Sequence, residues 1–138
     1  MTHRTFRPKL ATQADVERFW TRICHPLGWD RHDLWFVLVD ADGRPLPVVQ
    51  DVRDRPVAVD PGIVGNLVEL WRRVCEELVP GGSIAVLLCR PGSAKVDESD
   101  RAWATAITTE ATAAGVPLEI IHVASDAAIT PLPWDAVA

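Results

Sequence analysis

The stretch that most constrains this chain is Ile84-Ala-Val-Leu-Leu-Cys89, apolar at every position and bounded by Pro80-Gly81-Gly82 before and Arg90-Pro91-Gly92 after. A segment without a polar face has nothing to offer water. It is far shorter than the roughly 20 residues needed to span a bilayer. Its length and its flanking turn residues predict a strand rather than a helix. A strand of this kind belongs at the centre of a sheet covered on both sides.

The flanking sequence supplies elements to build around it. Thr12 followed by Asp15 forms a capping-box pattern, and Val16, Phe19, Trp20 and Ile23 then recur at helical spacing. His25-Pro26 and Gly28 end that helix. Leu34 to Val39 predicts a buried strand, Asp40-Ala-Asp-Gly43 a hairpin turn, and Leu46 to Val52 the returning strand. Pro45 and Pro47 predict an edge position for the return, because proline donates nothing to a ladder. Arg53 to Val59 is polar loop. Asp60-Pro61 starts a second helix, with Ile63, Leu67, Leu70, Trp71, Val74, Cys75 and Leu78 as its apolar stripe. A third helix begins at Asp97, has Asp100 three residues on, and ends at Gly115. Leu118 to Val123 is the last predicted strand, and residues 126–138 are expected to be an irregular tail. The result is one α/β domain over residues 1–138, three-layer-like, in the order α-β-β-α-β-α-β. Its sheet is mixed: an N-terminal β-hairpin followed by right-handed crossovers.

Composition narrows the function classes. The chain has 138 residues, 48% of them apolar, which suits a single globular core. Asp and Glu outnumber Lys and Arg by 19 to 14, for a net charge of −5. With the acidic residues spread along the chain and no basic stripe, nucleic acid is not an expected partner. Neither is a membrane. The N-terminus, Met1-Thr-His-Arg-Thr-Phe-Arg7, lacks an apolar leader core, so a cytoplasmic location is expected. Cys24, Cys75 and Cys89 are odd in number and lack metal-finger spacing. Cys75 and Cys89 fall within apolar patterns and read as small buried hydrophobes.

From the third strand onward the sequence resembles a known family. Ile84 to Ser93, then Val96-Asp-Glu-Ser-Asp-Arg-Ala-Trp103, then Ala114-Gly-Val-Pro-Leu-Glu-Ile-Ile121, are similar to the RadC-like branch of the JAB/MPN domains. There, an apolar strand runs into a His-x-His-Pro-Ser-Gly motif, a Ser-x-x-Asp helix start and a helix ending in Ala-Gly. The hairpin from Trp35 to Val49 resembles the family's strand pair, and the likeness covers roughly residues 33–125. The resemblance implies a zinc site made of two histidines and an aspartate. Here Leu88 and Arg90 stand where the histidines would be, and Asp100 lies near the aspartate position. A lone carboxylate does not hold zinc, which takes three protein ligands in a catalytic site. A metal-free relative without a cofactor or catalytic residues is what the resemblance implies.

Two readings of function remain, from different classes. In the first the chain is a non-catalytic binding or scaffold module that engages a protein partner or itself. Trp29, Trp35 and Trp134 are the interface candidates, because the helix stripes claim Trp20, Trp71 and Trp103 for the core. In the second it binds a small anion or nucleotide, as a binding protein or enzyme. Its site would be the 90–97 loop, where Arg90, Ser93 and Lys95 precede a helix N-terminus, with Asp100 and His122 nearby. Cys89 and His122 also invite a nucleophile–base pairing, though no third group is visible to orient the histidine. Cys24, His25, His32 and Asp33 invite a metal, but their spacing fits no ligand set and reads as a structural loop.

Overall fold

A computed structural model describes residues 7–133. Helix α1 (Gln13–Cys24) is followed by strands β1 (Asp33–Val39) and β2 (Pro45–Val52), helix α2 (Pro61–Leu78), β3 (Ser83–Cys89), helix α3 (Glu98–Ala114), β4 (Ile121–Ala124) and β5 (Ile129–Leu132). The strands form one mixed sheet in the order β2-β1-β3-β4-β5. β1 pairs antiparallel with both β2 and β3, β3 pairs parallel with β4, and β4 pairs antiparallel with β5. The wholly apolar strand is the middle one, buried along its entire length.

Alternation along the strands divides the core in two. Leu34, Phe36, Ile84, Val86, Leu88, Ile121 and Val123 point to the face covered by α2 and α3, where Trp71 and Trp103 are fully buried. Val37, Val39, Ala85, Leu87, Cys89 and Ala124 point to the other face, where α1 contributes Phe19 and Trp20. The architecture is therefore three layers, α/β/α, around a central strand.

The helix ends form as their sequences require. Thr12 and Asp15 close a capping box on α1, and Asp97 and Asp100 close another on α3. Each box satisfies backbone N–H groups that have no partner within the helix. The Asp60 carboxylate accepts from the Gly62 and Ile63 amides at the start of α2. Gly115 ends α3 in the left-handed conformation, at φ 72°. Gly82 is needed for space instead. A β-carbon there would lie 2.0 Å from the Val39 carbonyl oxygen, because the turn after α2 passes against the end of β1.

Two expectations need correction. The final strand begins at Ile121 rather than Leu118, which keeps only an isolated parallel bridge to Ile84. Residues 126–138 are not all irregular tail, because Ile129–Leu132 forms a fifth strand along β4. Proline is disfavoured within strands, and Pro131 sits inside this one. An edge position tolerates the proline, since its missing N–H faces away from the one neighbouring strand.

Candidate functional site

One end of the sheet gathers most of the polar chemistry. The C-terminal ends of β3 and β4 meet the N-terminus of α3 there, beside the loops that precede β1 and follow β2. Arg90 leaves β3 on the α3 side. Its Nε lies 3.0 Å from both carboxylate oxygens of Asp100, and its Nη2 lies 2.9 Å from Oδ2. Nη1 donates to the carbonyls of Pro91 and Ser93, at 3.1 and 2.9 Å, and Nη2 also donates to the Lys95 carbonyl at 2.7 Å. A guanidinium has five N–H groups, and all five are engaged. The 91–95 loop is wrapped around Arg90 with its carbonyls turned inward.

The burial of this pair fixes its character. Arg90 is 4% exposed and Asp100 is fully buried. The Asp100 carboxylate raises the guanidinium pKa further, against the opposing pull of burial. Asp100 Oδ2 also accepts from the Asp97 amide at 3.0 Å. The residues expected to bind an anion are thus assembled, but on one another. Ser93 and Lys95 contribute their carbonyls to Arg90, while both residues lie exposed on the outside of the loop. The open dish outside that loop sets Lys95 and Arg101 against Asp97 and Glu98, and the Arg90 that also lines it is already paired with Asp100.

His122 does not join them. It lies opposite Leu87 on β4 and faces α1, on the side of the sheet away from Arg90 and Asp100. Its Nδ1–H donates to the Ile120 carbonyl at 3.0 Å, which leaves Nε2 buried without a partner. Burial pushes its pKa down to about 4, so the ring is neutral at physiological pH. Cys89 is beside Ala124 rather than His122, and burial drives its thiol far above the usual range. A thiol held protonated is a poor nucleophile. Among the described residues, no group of His, Cys, Asp and Glu is arranged to hold a metal ion.

The loop after β2 contains a residue that the sequence reading passed over. Arg55 is 3% exposed and donates from Nε to the Asp33 carbonyl at 2.8 Å. Its guanidinium carbon lies 5.5 Å from the centre of the Trp103 ring, and Nη1 has no hydrogen-bond partner. Its Nη2 reaches the Cys89 carbonyl at 3.4 Å, and burial lowers its pKa against the opposing pull of Asp100. The segment is held over the start of α3, with the Trp103 indole N–H donating to the carbonyls of Pro56 and Val57. A polar stretch between a strand and a helix gives no sequence signal that one of its arginines turns inward.

Trp29 and Trp35 pack edge to face, with ring centres 5.1 Å apart, against the α1-side core. Both are half-buried. Asp126 fixes this corner by accepting from the Trp29 and Gly92 amides, each at 2.9 Å, and those two bonds hold its pKa low. Trp134 lies outside the described residues.

Apart from Val57, on the loop over the start of α3, the exposed large apolar side chains of the described residues gather on the opposite side of the sheet, between α2 and the edge strand β2. Phe36, Leu38, Leu46, Val48, Val74 and Leu78 are among the residues that line a groove of about 410 Å³ there. Val48 is 58% exposed and Leu78 61%. The groove arises because α2 carries more apolar residues than the sheet can cover. Its Trp71 side is buried, while Leu70, Val74 and Leu78 run along the rim at four-residue spacing. A scan against protein-family models gives no match for this chain, and no curated protein matches it.

Proposed function

We propose that this chain is a non-catalytic protein-binding module of the cytoplasm, and that the groove between α2 and β2 is its working face. The observation that carries this reading is the groove itself, where Val48, Leu70 and Leu78 are exposed together on an acidic domain. Large apolar side chains clustered on a surface mark contact sites more often than they occur by chance. The prolines of β2 refine the reading. Pro45 and Pro47 weaken the edge as a template for strand addition, so the partner packs side chains into the groove rather than extending the sheet.

The same reading treats the chain as a metal-free relative of the RadC-like JAB/MPN domains. Support comes from the order of elements and from the pairing at the end of β3. Arg90, at one of the family's histidine positions, places its guanidinium on Asp100, which lies near the aspartate position after a loop about one residue shorter than the family's. The zinc that the resemblance implies does not fit these residues. A fixed positive charge is bonded to the one remaining carboxylate, and Leu88 has no donor atom.

Photo-crosslinking tests the proposal. A benzophenone side chain at position 48 or 78, activated in the producing cells, is expected to give discrete protein adducts. The same probe at Lys95 or Arg101, beside the 90–97 loop, is expected to give none. Adducts confined to the loop positions would overturn the reading and return attention to the anion-binding alternative.

A further inference from the structure

The groove has charged shoulders as well as an apolar floor. Arg73 and Glu77 each precede a groove residue of α2, Val74 and Leu78, by one position, and both are exposed. At 100° per residue they project from the solvent side of the rim. On the same helix Arg72 is bonded to Glu69 and Glu76. Among the described residues neither Arg73 nor Glu77 makes a close ion pair, although Arg73 acts at longer range on the Glu69 carboxylate. One turn apart and opposite in sign, they match each other when two α2 helices lie antiparallel about a two-fold axis.

We infer that the groove's occupant is a second copy of this chain, in a symmetric dimer built on α2. The inference rests on the proposed function, which it sharpens by naming the partner. A two-fold contact uses the same patch twice and must therefore complement itself. An axis passing near Val74 meets that requirement. Leu70 of one copy lies beside Leu78 of the other, and Arg73 of each comes within reach of Glu77 of its mate. The apolar rims close over one another, with Val48 beneath, and Arg73 and Glu77 each gain a close partner across the axis. Hydrogen bonding along β2 is not needed, as the prolines there require.

Sedimentation of the full chain and four variants tests this. The wild type is expected to sediment at twice the 15.2 kDa of one chain, and Leu78→Glu as a monomer. Arg73→Glu and Glu77→Arg, each folded by circular dichroism, are expected to weaken the dimer at least tenfold when alone. Mixing the two single variants recovers the dimer, because both charge pairs are then reinstated across the axis. The double variant Arg73→Glu/Glu77→Arg recovers it too. A wild type that stays monomeric at millimolar concentration overturns the inference. So does a dimer indifferent to Leu78→Glu, or a mixture of the charge variants that fails to associate. Crosslinks from positions 48 and 78 to a different protein would overturn the dimer while leaving the groove as the working face.

Discussion

Arg90 shows how far a residue's role depends on its neighbours. Seen alone, an arginine before Pro-Gly-Ser at a helix start suggests an anion site. In the fold its nearest anion is Asp100, and the pair is buried together. Removing one partner of a buried pair leaves the other charge uncompensated, which costs about 3–5 kcal/mol. Arg90→Ala is therefore expected to lower the unfolding free energy in urea by about that amount. Arg90→Met combined with Asp100→Leu removes the uncompensated charge but still strands the loop carbonyls and the Asp97 amide, so it should remain destabilised. A ligand-binding arginine would behave differently, since its replacement would leave stability near the wild-type value.

His122 gives a second prediction at this scale. Its pKa is about 4 in the folded chain and about 6.5 when unfolded. Between those values the unfolded chain binds a proton that the folded chain refuses, so stability falls as pH drops from about 6.5 to 4. Below about pH 4 both states are protonated and this contribution levels off. The loss across the window is roughly 3 kcal/mol. Burial lowers the pKa of His32 as well, adding a slope of the same sign. Comparing wild type with His122→Gln isolates the larger share, and parallel pH profiles for the two would contradict it.

Elements were more legible than sites, for a physical reason. Caps, turns and apolar periods are local, so Thr12 with Asp15, Asp60-Pro61 and Asp97 with Asp100 marked three helix starts correctly. The edge position of β2 followed from its prolines. β5 was missed because Pro131 weighs against a strand until the pairing with β4 is known. Arg55 was unreadable for the opposite reason, since its partners Asp33 and Trp103 come from distant segments. Arg90's partners lie within ten residues, but nothing local signals that the loop turns its carbonyls inward onto the guanidinium. Gly82 belongs with Arg55 among the long-range facts. Its neighbours in sequence suggest only a turn, whereas the Val39 carbonyl forbids a β-carbon. Gly82→Ala is expected to cost about 1–3 kcal/mol by overpacking, read as a lower midpoint in thermal or urea unfolding. Gly65→Ala, on α2 with open space around it, should be neutral or stabilising.

At the scale of the whole molecule, the chemistry and the exposed surface lie apart. The polar groups at the C-terminal end of β3 are spent on holding loops and the start of α3 in place. The apolar groove of α2 and β2 is left open. A binding module needs that division, because the groove can be altered without disturbing the core. The most direct test is hydroxyl-radical footprinting of the chain, first in the cells that make it and then as dilute pure protein. The account predicts that Val48, Leu70 and Leu78 are modified in dilute solution and protected in the cell, while Lys95 and Arg101 react equally in both. Protection of the 90–97 loop with an unchanged groove would contradict it.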